Sequence, residues 1–211
     1  MRQRHNNVLG ATSPSRSALA RLGRFLFNRS FCYTKEMKFI LIRHAETDWN
    51  VENRLQGHTD TELNEVGKAQ ARALAGELVP LGIRRIVSSD LKRASQTADI
   101  VVLHLDAPVH LDARLRECSF GTLEGWTPEE IVRKHNIPPH YSSGPFDFQR
   151  FGGEKRSEVY ERHRAALTEW SKKHPSERIL LVGHGAGFNT LLEELGHEPT
   201  LKRGEYRIIE Y

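Results

Sequence analysis

The sequence predicts a three-layer α/β fold, in which a mostly parallel β-sheet is flanked by helices on both faces. Short runs of Ile, Val and Leu alternate along the chain with longer segments whose apolar residues recur at helical spacing. Strands that alternate with helices form mostly parallel sheets, because each helix carries the chain back across one face of the sheet. A chain of 211 residues is also long enough to bury a sizeable core.

Five segments are predicted to be strands, since they are short and rich in Ile, Val and Leu. These segments are Lys38–Arg43, Arg85–Ser88, Val109–Leu111, Arg178–Gly183 and Tyr206–Glu210. The first of them follows Met37 directly, so the folded domain is predicted to begin with a strand.

The segments between these strands carry the apolar spacing of helices. Residues Thr127 to Glu130 form a capping box with proline at the first helical position, which predicts a helix running toward His135. The other predicted helices are Glu65–Val79, which stops before Pro80, Arg93–Leu103, about Ser157–Lys173 and about Gly187–Leu195.

Residues 1–36 differ in composition from the rest, and we interpret them as a basic leader, disordered or serving in targeting or docking, ahead of a domain at residues 37–211. The leader carries six Arg and one Lys, whereas Glu36 is its only acid. Its apolar residues and arginines fall on opposite faces of a helix, as in transit peptides and membrane-surface segments. Three interpretations stay open: translated upstream sequence without a folded role, an organellar transit peptide, or a docking helix.

The charge of the chain gives little reason to expect a nucleic-acid partner. The net charge is +4, but residues 1–36 contribute +6 and the remainder sums to −2. The basic pI therefore belongs mainly to the leader rather than to the domain.

No apolar run approaches transmembrane length, so we expect no integral membrane segment. We expect a cytoplasmic protein, or an organellar one if the leader is a transit peptide; the oligomeric state stays open.

Two cysteines, Cys32 and Cys118, are too few for a secreted disulfide scaffold and are typical of a reducing compartment. The histidines outside the motifs below show no metal-ligand spacing with carboxylates or cysteines, so we expect no metal or other cofactor, and we interpret them as surface residues. They are His104, His110, His135, His140, His163, His174 and His197.

Polar motifs follow four of the predicted strand segments, at the sheet edge where α/β proteins bind ligands. Arg43-His44 comes directly after an apolar strand, and an imidazole there can attack phosphorus while the neighbouring guanidinium holds phosphoryl oxygens. The sequence therefore indicates phosphoryl transfer. The alternative for His44 alone is a strand-end histidine hydrogen-bonded to a carbonyl group.

The ordered set of motifs, taken together, resembles the histidine phosphatase superfamily, which includes cofactor-dependent phosphoglycerate mutases, fructose-2,6-bisphosphatases and α-ribazole phosphatases. The resemblance extends from Met37 to Tyr211 and implies the phosphoglycerate mutase-like fold. The matching motifs are Arg43–Thr47, Asn50, Gln56-Gly57, Leu63-Asn64, Ser88–Arg93, Leu115–Glu117, Glu124-Gly125 and Gly183–Gly185.

The resemblance implies a role for each of eight residues. His44 is the nucleophile that forms a phosphohistidine, while Glu117 donates a proton to the leaving oxygen and must be protonated when substrate binds. His184 stabilises the phosphoryl group as a cation. The residues that contact phosphate or substrate are Arg43, Arg93, Asn50, Gln56 and Gly57.

These roles predict a metal-independent phosphatase that hydrolyses small phosphorylated metabolites and that resembles the phosphatase branch of the superfamily. Three alternatives stay open: a phosphoglycerate mutase, a protein phosphatase, and a pseudoenzyme that only binds phosphorylated ligands.

The irregular stretch from Ile137 to Gly153 is rich in Pro, Gly and aromatic residues, and we predict that it forms a substrate-facing lid. The sequence does not name the metabolite.

Overall fold

The computed structural model describes residues 38–135 and 148–211, in which a five-stranded β-sheet lies between two layers of helices. The strands have the predicted bounds: β1 (Lys38–Arg43), β2 (Arg85–Ser88), β3 (Val109–Leu111), β4 (Arg178–Gly183) and β5 (Tyr206–Glu210). The leader prediction for residues 1–36 and most of the predicted lid fall outside the described residues.

The strand order across the sheet is β3-β2-β4-β1-β5. Strand β1 runs parallel to β4, with Lys38 opposite Arg178 and Arg43 opposite Gly183. Strand β5 alone runs antiparallel, so that its first residue, Tyr206, lies opposite Ile42 near the carboxyl end of β1. The predicted mostly parallel sheet is therefore confirmed.

Six α-helices lie in the described part of the chain, five of them close to the predicted positions. They are α1 (Asp48–Val51), α2 (Glu65–Leu78), α3 (Lys92–Val102), α4 (Pro128–His135), α5 (Arg156–Lys173) and α6 (Gly185–Glu194). The predicted capping box of α4 is confirmed, since the Thr127 N–H donates to the Glu130 carboxylate at 2.8 Å and the Glu130 N–H donates to Thr127 Oγ1 at 3.2 Å. The four-residue helix α1 was not predicted.

Each face of the sheet carries its own apolar core. Successive side chains of β1 point to opposite faces, so Phe39 packs with α5 and α6 while Ile40 packs with α2 and α3. Both of these side chains are almost fully buried. The three-layer arrangement predicted from the sequence is confirmed.

A smaller apolar cluster lies beyond the sheet. In it the ring of Phe148 packs edge-on against Phe120, with centroids 4.8 Å apart. Because Phe148 is only 6% exposed, this end of the predicted lid is packed into the domain, against a side chain that lines the pocket described below. No helix in residues 38–135 and 148–211 is long and apolar enough to cross a membrane.

Candidate active site

The carboxyl ends of β1, β2 and β4 lie side by side, and a pocket of about 410 Å³ opens above them. Six of the eight predicted site residues line this pocket: Arg43, His44, Asn50, Gln56, Arg93 and Glu117. The other two, Gly57 and His184, lie behind the lining. Because parallel strands end at one edge of the sheet, motifs far apart in sequence meet there.

His44 is held with one ring nitrogen fixed. Its main-chain N–H donates to Gly183 O at 2.9 Å, and its Nδ1 lies 2.7 Å from Ala45 O. A carbonyl oxygen can only accept, so Nδ1 carries the proton and Nε2 keeps a lone pair. Burial, together with the charges of Arg93 and Arg43, lowers the pKa of His44 well below its ordinary value. The ring is therefore neutral with a lone pair on Nε2, which is the state that the sequence-based hypothesis requires of a nucleophile.

The two arginines place positive charge beside His44. Arg93 is fully buried and donates to Thr59 O at 2.9 Å and Gly57 O at 2.8 Å. Burial lowers the pKa of Arg93 to about 10, so it stays cationic at neutral pH. The buried Nε atoms of Arg43 and Arg93 have no hydrogen-bond partner among the described residues. Unpaired buried donors of this kind are suited to the oxygens of a phosphoryl group.

His184 caps helix α6 at the end of β4, with its ring centroid 5.2 Å from that of His44. Its Nε2 lies 2.8 Å from Ser89 Oγ, which also accepts the Leu91 N–H at 3.3 Å. The Ser89 hydroxyl thus holds the His184 ring through Nε2, while the buried Nδ1 has no hydrogen-bond partner among the described residues.

The predicted positive charge of His184 is not found. Burial and the nearby Arg93 charge lower the pKa of His184 well below its ordinary value. Removing an imidazolium from water next to a buried guanidinium disfavours the charged form. The His184 ring is therefore neutral here, and a positive charge on it beside a bound phosphoryl group stays a prediction.

The carboxylate of Glu117 is held by three main-chain N–H groups. Oε1 accepts from Cys118 at 3.0 Å and from Gly187 at 2.8 Å, while Oε2 accepts from Ala186 at 3.1 Å. Two of these donors belong to the first turn of α6, so the helix fixes the carboxyl group. Burial raises the pKa of the Cys118 thiol, which keeps this cysteine protonated and unreactive.

The amide side chains at the pocket are partly engaged. Asn50 Oδ1 accepts the main-chain N–H three residues earlier at 3.1 Å, and Gln56 Oε1 accepts from Thr61 Oγ1 at 2.6 Å. Their NH₂ groups are the atoms suited to bind a ligand. Gly57, predicted to contact substrate, instead presents its carbonyl group to Arg93. Its φ of +51° explains why glycine stands there.

Arg203 is a pocket residue that the sequence analysis missed. It precedes β5, and because β5 is antiparallel, its approach brings Arg203 into a bridge pairing with Arg43. It has no ion-pair partner in the parts of the chain described, and its charge contributes to lowering the pKa of both Arg43 and His44. Asn189 lines the pocket beside it. No sequence signal would have placed Arg203 here without the direction of β5.

His163 is fully buried, so its interpretation as a surface histidine is wrong. Its Nδ1 lies 2.8 Å from Val159 O, and burial and the Arg162 charge lower its pKa to about 3. Its spacing from the buried residues Val159 and Leu167 would have indicated burial on the apolar face of α5.

In the described ranges, no three His, Cys, Asp or Glu side chains are grouped as metal ligands.

Comparison with known proteins identifies the family. The model of the histidine phosphatase superfamily (branch 1) matches residues 39–208 of this chain. The chain belongs to this superfamily. The resemblance inferred from the sequence motifs is thereby confirmed.

Relatives within the histidine phosphatase superfamily carry both mutase and phosphatase names. Phosphoglycerate mutase-like protein 4 of Arabidopsis thaliana is 36% identical over 160 residues, which cover 74% of this chain and 70% of that protein. A mycobacterial glucosyl-3-phosphoglycerate phosphatase in complex with VO3 has a TM-score of 0.72 and 30% identity, covering 82% of this chain and 90% of its own. A mutant phosphoserine phosphatase from Entamoeba histolytica in complex with phosphoserine has a TM-score of 0.70 and 32% identity, covering 82% and 89%.

Proposed function

We propose that this protein is a phosphatase that hydrolyses small phosphorylated metabolites, without a metal ion, through a phosphohistidine on His44. One observation carries the proposal: the neutral His44 ring, with Nδ1 bound to a carbonyl group, shares a pocket with Arg43, Arg93 and Glu117. A nucleophile, two cations for the phosphoryl oxygens and a carboxyl group for proton transfer are the parts that phosphate-ester hydrolysis needs.

The reaction proceeds in two displacements. Nε2 of His44 attacks phosphorus, and the bond to the ester oxygen breaks as that oxygen takes a proton from Glu117. Water then attacks the phosphohistidine and gives its proton to Glu117, which releases inorganic phosphate and restores His44. Arg43 and Arg93 neutralise the charge that spreads over the phosphoryl oxygens, and the His184 ring lies beside the nucleophile, with its centroid 5.2 Å from that of His44.

A phosphoglycerate mutase is the second candidate, and the printed name of the Arabidopsis relative supports it. A mutase uses the same phosphohistidine but returns the phosphoryl group to a second hydroxyl rather than to water. The phosphatases of known structure, one in complex with VO3 and one with phosphoserine, support hydrolysis instead. Phosphate release measured against interconversion of 2- and 3-phosphoglycerate separates the two.

The test combines a panel of metabolites with a nucleophile variant. Wild-type protein should release phosphate from at least one phosphomonoester equally with and without a chelator, and brief mixing with labelled substrate should trap acid-labile, base-stable label. The His44→Ala variant should lose at least about 10³-fold in turnover and all of the label. The exposed His104→Ala serves as control and should behave as wild type. Activity in His44→Ala, or loss of wild-type activity with chelator, would contradict the proposal.

A further inference from the structure

Arg162 lies on helix α5 outside the pocket, yet its guanidinium is bound to the loop that carries Glu117. Nη1 donates to Arg114 O at 2.8 Å and to Arg116 O at 2.6 Å, while Nη2 donates to Glu117 O at 2.7 Å. One rigid side chain thus holds three carbonyl groups within four residues. Only the planar fork of arginine can supply so many donors in fixed directions.

Glu154 fixes the guanidinium from the other side. Arg162 Nε donates to Oε1 of Glu154 at 2.9 Å and Nη2 donates to Oε2 at 3.0 Å, a bidentate arrangement. The same Oε2 accepts the Ser119 N–H at 2.8 Å, just beyond Glu117 in the chain. Burial alone would raise the pKa of Glu154, but the hydrogen bond and charge of Arg162, the Ser119 N–H and the charge of His58 together lower it. The pair is therefore ionised.

The main chain of Glu117 has one more anchor. His58 Nε2 lies 2.9 Å from Glu117 O, and a carbonyl oxygen makes this nitrogen the donor. The Glu117 carbonyl group thus accepts from both Arg162 and His58, while its carboxylate accepts from the start of α6. Both ends of the residue are fixed by elements that are distant in the sequence.

We propose that Arg162 and Glu154 are positioning residues that act through Glu117, by holding its main chain where the carboxyl group can serve the ester and water oxygens. The inference rests on the proposed function, since it assigns the pair to the proton-transfer step. Proton transfer depends steeply on geometry, and a displacement of about 1 Å can cost on the order of 10²-fold in rate. Neither Arg162 nor Glu154 touches the substrate pocket.

The kinetic test uses substrates that differ in their need for a proton. Arg162→Lys keeps the positive charge but removes the planar guanidinium group. Glu154→Gln keeps the shape of the side chain but removes its negative charge. Both should slow hydrolysis of alkyl phosphomonoesters by about tenfold or more, and that of an activated aryl phosphate by less than about threefold. Glu117→Gln should likewise slow hydrolysis of the alkyl phosphomonoesters more than that of the aryl phosphate, because an activated leaving group departs without a proton.

A double variant separates action through Glu117 from an independent effect. Arg162→Lys combined with Glu117→Gln should be no slower than Glu117→Gln alone, because residues that act as one unit are not additive. Arg164→Lys is the matched control, since Arg164 is exposed on the same helix and pairs only with Glu161. The inference would be overturned if the single variants lost equal rate on both substrate classes. It would also be overturned if the rate losses of Arg162→Lys and Glu117→Gln multiplied in the double variant.

Hydrogen exchange provides a readout that does not depend on the proposed function. Release of the loop should speed exchange of the amides that hold the Glu117 carboxylate, at residues 118, 186 and 187, in Arg162→Lys and Glu154→Gln but not in Arg164→Lys. Unchanged exchange at these amides would overturn the positioning role even if the protein is a phosphatase. If the wild-type protein has no phosphatase activity but exchange is still faster in Arg162→Lys and Glu154→Gln, the proposed function is overturned and the positioning of Glu117 stands.

Discussion

The arginines around His44 have two effects that work together. Their positive charge adds to the effect of burial in disfavouring the imidazolium form of His44, so the ring is neutral. The same guanidiniums then face the phosphoryl oxygens, whose negative charge they are suited to neutralise. Because the pKa of His44 lies well below its ordinary value, protonation of His44 should limit the reaction only at pH values well below 6.5.

Arg203 lines the pocket and has no ion-pair partner among the described residues, and we expect it to bind a second anionic group of the substrate. Arg203→Gln should raise KM by about tenfold for a phosphomonoester that also carries a carboxylate, because a hydrogen bond between charged groups contributes roughly 1.5–3 kcal/mol. KM for p-nitrophenyl phosphate, which has no second anion, should change little. Steady-state kinetics on both substrates check this.

The neighbouring Lys202 provides the control for Arg203. It is exposed, pairs with Glu205 at 3.9 Å and does not line the nucleophile pocket. Lys202→Gln should leave KM unchanged for both substrates. Equal effects of Arg203→Gln on the two substrates would show that Arg203 acts on His44 rather than on a second anion.

At the scale of elements, the turn from β4 into α6 contacts both Arg43 and Glu117. Its glycines allow close approach: a Cβ at Gly185 would lie 2.9 Å from Arg43 Cζ, and one at Gly187 would lie 2.8 Å from His163 Nε2. The N–H of Gly187 also holds Glu117. The start of one helix therefore positions both Arg43 and Glu117, the proposed phosphate-binding cation and proton donor.

Gly185→Ala should displace the Arg43 guanidinium and lower kcat/KM by about tenfold or more, with little loss of stability. Gly76→Ala on α2 is the matched control, since nothing lies within 4 Å of the added methyl group. This control should keep full activity and raise the free energy of unfolding by up to about 1 kcal/mol, the helix preference of Ala over Gly. Kinetics and urea unfolding measure both effects, and full activity in Gly185→Ala would contradict the expected displacement.

At the scale of the whole molecule, three histidines in the described ranges are buried as neutral rings. His44, His163 and His184 are each at most 2% exposed, and burial lowers the pKa of each below 6.5. The unfolded chain binds a proton at each position below about pH 6.5, whereas the folded chain does not until much lower pH. Their neutral burial therefore makes stability fall as the pH drops from about 6.5 toward about 3, the pKa of His163.

Urea unfolding should thus give a lower free energy of unfolding at pH 5 than at pH 7, by about 2 kcal/mol for each histidine that stays neutral. His163→Gln removes one titrating group and should reduce this difference by about 2 kcal/mol. The exposed His104→Gln should leave the difference unchanged. The change between the two pH values is the measured quantity, so an effect of the substitution at pH 7 does not interfere. An unchanged pH dependence in His163→Gln would show that His163 is protonated in the folded protein at pH 5.

The strands and helices of the described domain and the position of its reacting groups follow from local sequence. Apolar periodicity marks which face of each element is buried and where it ends, and parallel strands end at one edge of the sheet. That is why Arg43, His44, Arg93 and Glu117 could be assigned to one pocket before any coordinate was available.

Features that depend on contacts between segments far apart in the sequence were determined only by the tertiary structure. Only the antiparallel direction of β5 brings Arg203 to the pocket, and only the packing of α5 places Arg162 against the carbonyl groups around Glu117. The neutral state of His184 is likewise a tertiary property, because burial and the charge of Arg93 set its pKa. A local pattern carries no information on strand direction or on desolvation by residues far along the chain, and these two quantities set the charges around the nucleophile.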